Sequence, residues 1–189
     1  RKKDWKTPNK EGPKVEHEDF LFFVSRLAVA SRLSQESAFL QHGVTRCLLH
    51  SIAVAYYCDR LAGYLQALRF RRRQLLRGAL LHDYFLYDWH DPDPSHRLHG
   101  FHHPARALGN ALQDFSLDPV EQNIILRHMF PLTPIPPKYR EAILVCLVDK
   151  GCSLYEVFAR RPYSNWRIQA AWALVLQGAS ISLSGPHNS

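Results

Sequence analysis

RRRQLLRGALLHDY, residues 71–84, decides how this chain is read. Its apolar positions recur at helical rather than strand spacing, which predicts a helix over 71–84. The helix delivers His82 and Asp83, an adjacent imidazole and carboxylate, at its end. Such a pair is uninformative alone. It gains weight from His50, His103, His128 and Asp149, which complete an ordered series of H, HD, H, H and D along the chain. Imidazole nitrogen and carboxylate oxygen suit divalent first-row metals, and an Asp that bridges lets a second ion sit beside the first.

The surrounding segments predict more helices. At 189 residues and 46% hydrophobic composition the chain can bury a substantial core. Strand-like alternation is scarce, so the expected class is all-α, a compact multi-helix bundle. A first helix is expected from Glu18 to about Leu33. Thr45 is the expected N-cap of the next, on which His50 shares a face with Ala53, Val54 and Tyr57. Pro104 suits a first helical position, which places His102 and His103 at a helix start. Asp118-Pro119-Val120-Glu121 has the form of a capping box with proline at N1, and the helix it opens ends near His128. Pro136-Pro137 feeds a further helix on which Asp149 aligns with Ala142, Val145 and Cys146. A carboxylate on that apolar stripe is costly unless paired, protonated or metal-bound. One or two closing helices are expected after Gly151. Residues 1–17 are expected to be a disordered leader, 18–183 one domain and 184–189 a C-terminal tail.

The net charge of +7 is local. Residues 1–19 nearly balance, with six Lys/Arg against five Asp/Glu, whereas Arg69, Arg71, Arg72, Arg73 and Arg77 have no acid near them in sequence. A solvated helix start is the expected role of that cluster, and capture of a polyanion the alternative. Cys47, Cys58, Cys146 and Cys152 lack C-x-x-C spacing and read as reduced core thiols. Residues 20–30 are preceded by Glu16, Glu18 and Asp19 and interrupted by Arg26, which argues against a secretion signal. The stretch from Ile168 to Leu183 is too polar to span a bilayer. A soluble, cytoplasmic protein with no membrane partner is expected.

The ordered ligand set, from Gly43 to Tyr155, resembles the HD-domain superfamily of metal-dependent phosphohydrolases. The resemblance implies that His50, His82, Asp83 and Asp149 hold one divalent ion. It implies that Asp83 also bridges to a second ion held by His103 and His128. His102 leaves the third histidine open; His103 is chosen because members often place His directly before proline. The ion count stays at one or two, and Fe, Mn, Zn, Ni, Co and Mg are not distinguished. The chain departs from better-understood branches at Tyr84, Phe85 and Leu86, so no branch's nucleotide substrate carries over.

The implied chemistry is attack of a metal-activated water on a phosphomonoester, nucleotide or other small phosphorylated metabolite. Arg106 is the first expected phosphate contact, with Lys150 and Arg127 behind it. The loop FLYDWHDPDPSHRLHG, residues 85–100, offers Asp88, His90, Asp91, His96 and His99, and is long enough to suggest function. His90 is the substrate contact expected from it. His102, or alternatively His90 or Asp88, is the expected general acid, while Asp83 is the catalytic carboxylate. Two other readings stay open: a two-iron oxygenase on the same fold, and a non-enzymatic sensor of a phosphorylated ligand. The small phosphorylated substrate is the expected partner ahead of nucleic acid, and an oligomer is compatible. Ser51 and the cysteines lack the setting of a nucleophilic hydrolase.

Overall fold

The computed structural model describes residues 19–88, 98–159 and 163–183. The expected leader over 1–17, the tail over 184–189, and His90, Asp91 and His96 lie outside the described residues. Seven α-helices follow in order: α1 (Phe20–Val29), α2 (Cys47–Tyr64), α3 (Arg72–Leu81), α4 (His99–Asp114), α5 (Pro119–Arg127), α6 (Arg140–Phe158) and α7 (Trp166–Leu183). The all-α expectation holds, and the one sheet described is a two-stranded antiparallel hairpin, β1 (Leu40–His42) with β2 (Thr45–Arg46). Among the described residues no helix is long and apolar enough to cross a membrane.

α2 and α3 form the centre. α2 packs on α3, α6 and α7; α3 also packs on α5, which lies against α4 and α6. Leu48 and Ile52 of α2, Leu76 and Leu80 of α3, Ile124 of α5 and Val145 of α6 meet there with essentially no exposure. Helices with a wide apolar stripe are stabilised chiefly by this burial, at about 1.5–3 kcal/mol per large aliphatic side chain.

Several expected boundaries move, each for an identifiable reason. α1 ends at Val29, and the chain then turns so that the Arg32 amide donates to Tyr84 Oη at 2.6 Å instead of continuing the helix. Thr45 is in β2 and is no cap. α2 starts at Cys47 with its amide bonded to Phe39 O at 3.0 Å, so hairpin backbone supplies the acceptor that a cap side chain would. α3 stops at Leu81, three residues short of the expected end. Pro104 is inside α4, which starts at His99, because Leu98 takes the left-handed conformation and turns the chain earlier. Gly151 does not break α6: its cost of about 1 kcal/mol against alanine is small beside the packing of that helix. One helix, α7, then closes the described chain.

The capping box is present as the sequence predicts. Asp118 Oδ1 accepts from the Val120 and Glu121 amides at 2.9 and 3.0 Å, and Glu121 accepts from the Asp118 amide at 2.8 Å. The arginine cluster is less solvated than expected, because acids arrive from other helices. Arg72 makes a two-pronged pair with Asp59 of α2 at 2.6 and 2.9 Å, and the buried Arg77 faces Glu121 of α5 at 3.4 Å.

Tyr84 and Asn110 tie α4 to the end of α3. Tyr84 Oη donates to Asp114 at 2.6 Å, and Asn110 Nδ2 donates to the carbonyls of Tyr84 and Phe85 at 3.0 and 2.9 Å. The residues at which the chain departs from other branches thus anchor the helix that carries His103. The hairpin is held from another side. Gly43 has φ of +56°, and a Cβ there would be 2.9 Å from Glu156 O of α6. Only glycine permits both that backbone and that approach.

Candidate metal centre

Six side chains from five helices converge. His50 comes from α2, His82 and Asp83 from the end of α3, His103 from α4, His128 from the end of α5 and Asp149 from α6; all are buried. The register of each helix explains the convergence. The capping box fixes the start of α5, so His128 falls at its C-cap on the face of Ile124 and Ile125. Asp149 lies on the buried stripe with Ala142 and Val145.

Asp83 stands in the middle with its two oxygens turned apart. Oδ2 lies 3.4 Å from His82 Nε2 and 3.8 Å from His50 Nε2. Oδ1 lies 3.1 Å from His103 Nε2 and 3.5 Å from His128 Nε2. On the first side Asp149 Oδ1 is 3.1 Å from His50 Nε2 and 3.7 Å from His82 Nε2. On the second, His103 and His128 bring their Nε2 atoms to 2.9 Å. Two groups that could each hold a metal ion result, His50 with His82 and Asp83, and Asp83 with His103 and His128.

The far nitrogens show why these rings are ready to ligate. His82 Nδ1 donates to Ala79 O at 2.7 Å, and His128 Nδ1 donates to Ile125 O at 2.8 Å. His50 Nδ1 meets Glu156 at 2.9 and 3.0 Å. With Nδ1 committed, a neutral ring presents Nε2 as a lone pair, the orientation seen in metal-binding histidines. His82 Nε2 and Asp83 Oδ1 are buried without a hydrogen-bond partner. Each such atom costs about 1–3 kcal/mol, and with His82 in the first group and Asp83 Oδ1 turned to the second, a cation in either group would satisfy one of them. The residues present fit divalent metal.

Electrostatics agree. Burial would raise the Asp149 carboxyl, but the hydrogen bond with His50 and the His82 ring 3.7 Å away hold it below the usual carboxylate range. Burial of Asp83 is likewise outweighed, by His82 first and then by His103 and His128, leaving it well below its ordinary value. Burial would depress His50, yet Asp149 and Glu156 raise it well above. Burial depresses His128, with His82 and His103 adding to the effect against Asp83. Glu36, fully buried behind the site, is raised by burial first and by Asp83 next. Two ionised carboxylates aimed at imidazoles make a site for positive charge.

Three contributors escaped the sequence reading. Glu156 orients His50 and accepts from Tyr163 Oη at 2.6 Å. It follows Asp149 by seven residues, two turns along the same buried face, and that spacing is the signal that could have found it. Gln41 donates to Asp83 Oδ2 at 2.5 Å, and the His42 ring lies edge-on to His50 with centroids 5.7 Å apart. Both come from the short hairpin, which carries no periodic signal.

The centre opens into a cavity of about 970 Å³ whose walls include Gln41, His42, Asp83, His103, Lys150 and Ser153 with an apolar side at Leu98, Met129 and Leu132. Lys150 Nζ donates to His128 O at 2.8 Å. Arg106, Arg127 and His102 are not among the wall residues. The Arg106 guanidinium lies over the Tyr87 ring at 4.9 Å, Arg127 is half-buried at the end of α5, and His102 is exposed on α4.

A helical bundle with two histidine clusters sharing one buried aspartate defines a class of metal-binding fold. The chain belongs to the HD domain family: the family model matches residues 48–151, more than half of its length and a span that includes all six converging residues. No curated protein and no solved structure matches it.

Proposed function

We propose that the protein is a metal-dependent phosphohydrolase acting on a phosphomonoester, nucleotide or other small phosphorylated metabolite. The observation that carries the reading is Asp83, whose two oxygens are divided between two histidine pairs at the floor of a cavity large enough for a small ligand. His50, His82, Asp83 and Asp149 would hold one divalent ion, and Asp83, His103 and His128 a second. Bound there, divalent ions lower the pKa of a water and neutralise phosphoryl charge.

The remaining work belongs to the chain. Backbone carbonyls and Glu156 keep three imidazoles in the ligating tautomer. Lys150, the expected substrate contact that lines the cavity, supplies positive charge toward the phosphoryl group. Arg106 and Arg127 lie outside the wall, which makes them weaker candidates than Lys150. His102, exposed beside His103, is retained as the proton donor to the leaving oxygen. Residues 18–183 are taken as one HD domain, the unit that encloses the centre.

The test is phosphate release by protein loaded separately with Mn, Fe, Zn, Ni, Co or Mg, against phosphomonoesters, nucleotides and cyclic nucleotides. Release under at least one metal, lost with chelator and restored on reloading, is expected. Silence under every metal would overturn the proposal, and iron-dependent oxygen uptake in its place would assign an oxidative reaction.

Glu156→Gln gives a sharper check. The amide keeps one oxygen that can accept from His50 and Tyr163, but it loses the negative charge and turns the second oxygen, 3.0 Å from His50 Nδ1, into an N–H donor, so the His50 ring is held less firmly. Metal affinity should fall about 10–100-fold, the usual cost of losing an outer hydrogen-bond partner. Calorimetric titration of the metal reads the change, and an affinity equal to the parent's would show that Glu156 does not orient a ligand.

A further inference from the structure

α6 is apolar nearly all round, which a helix covered on one side only does not require. Its inward face holds Ala142, Val145, Asp149, Cys152 and Glu156. Its outward face runs from Leu144 to Phe158 through Leu147, Val148, Gly151, Leu154 and Tyr155, all within about 60° of Gly151 around the helix axis at 100° per residue. Leu147 and Leu154 are each 64% exposed, Tyr155 50% and Phe158 78%. Beside them α2 presents Leu61 at 39% and Tyr64 at 74%, and the two helices enclose a groove of about 730 Å³. At roughly 200 Å² for a large residue, those six expose about 700 Å² of apolar surface. That exceeds the largest patch of an ordinary monomer and approaches the ~800 Å² per partner of a stable interface.

We infer that this face is the interface of a two-fold dimer, with a second copy of the chain crossing α6 against α6 at Gly151. The pattern on the face is self-complementary. Antiparallel crossing at Gly151 sets Phe158 of one copy opposite Leu144 of the other, Tyr155 opposite Leu147 and Leu154 opposite Val148. Leu144, Leu147, Val148 and Tyr155 line the groove, Leu144 and Val148 nearly buried at its floor, whereas Leu154 and Phe158 project from the same helix beside it. Each copy therefore offers a groove along α6 and, in Leu154 and Phe158, side chains to enter the other copy's groove opposite Val148 and Leu144, as an isologous contact requires. Gly151 fits the crossing point. A Cβ there would meet nothing within 4 Å in its own chain, so no internal contact demands the glycine, while its absence of side chain lets a second helix approach.

The test is sedimentation of the full chain at micromolar concentration, where a mass of two chains is expected. Leu154→Glu combined with Phe158→Glu should raise the dimer dissociation constant by about 10²-fold or more, since apolar contacts on both sides of the two-fold axis become buried charges. Both positions are exposed in the single chain, so helicity by circular dichroism should not change. Gly151→Cys supplies an arm that survives any folding defect of the glutamate variant. Near the axis it should form a covalent dimer under mild oxidation, whereas Leu112→Cys on the exposed side of α4 should not. The native cysteines are buried and do not compete. Three results would overturn the inference: a wild-type chain of single mass throughout, a folded glutamate variant that stays dimeric, or equal cross-linking at positions 151 and 112. A single-mass chain would leave a different partner as the occupant of the face.

Discussion

On the proposed two-ion reading, Asp83→Asn should remove both metal ions together and lower kcat/KM on any substrate found by about 10³-fold or more, several kcal/mol of transition-state stabilisation. The substitution keeps size and shape. What changes is that one oxygen becomes an amide nitrogen, a donor and not an acceptor. Whichever way the amide turns, its N–H groups face one set of partners: the His103 and His128 rings on the Oδ1 side, or the His50 and His82 rings and the Gln41 amide donor on the Oδ2 side. No rotamer serves both. His103→Ala offers the contrast, because it strips one ligand from the second group and leaves His50, His82, Asp83 and Asp149 intact. Metal analysis by mass spectrometry should then read a loss of one equivalent for His103→Ala and of all metal for Asp83→Asn, with helicity preserved in each. If Asp83→Asn kept its full metal content, the carboxylate would not be the shared ligand and the two-cluster reading would fail.

The converging set was legible because its members recur in one order along the chain, most of them polar exceptions on apolar helix faces or at helix ends. His50 precedes Ala53 and Val54, and Asp149 follows Ala142 and Val145; a polar group at such a position declares a partner. Asp118 and Glu121 announce the start of α5 by local chemistry alone, and its length then places His128. Where reading failed, the deciding feature lay outside the segment being read. Pro104 suggested a helix start, but the left-handed turn at Leu98 opens α4 earlier. The hairpin that brings Gln41 and His42 to the site is too short to show alternation, and its place depends on Gly43 meeting α6. The arginines after Arg69 lacked acids along the chain, yet Asp59 and Glu121 reach them from α2 and α5. Local propensity thus sets which residues face inward, while tertiary contact sets what they meet.

Gly78→Ala should destabilise the protein and reduce its activity, although alanine is the better helix former by about 1 kcal/mol. At Gly78 α3 passes close against α5. A Cβ there would be 2.5 Å from Ile124 Cδ1 and 3.0 Å from both Ile124 Cβ and Cγ2. The terminal methyl can rotate away. Cβ and Cγ2 cannot, because a β-branched side chain in a helix is held to essentially one χ1. The two helices must therefore separate by a few tenths of an ångström, at an overpacking cost of about 1–3 kcal/mol that cancels or exceeds the propensity gain. His82 lies four residues beyond Gly78 and His128 four beyond Ile124, so the separation carries one turn along both helices to two rings whose centroids are 4.9 Å apart. A shift approaching an ångström among ligands or reacting groups can cost about 10²-fold in rate, so kcat/KM should drop by up to that factor, with weaker metal binding. Gly109→Ala is the control. It lies inside α4, where an added Cβ meets nothing within 4 Å, and should raise stability by about 0.5–1 kcal/mol with metal content unchanged. Thermal denaturation and metal titration of the two variants side by side separate propensity from contact. Should Gly78→Ala melt higher than the parent and keep its metal, the close approach of α3 to α5 would not be what sets the spacing of His82 and His128.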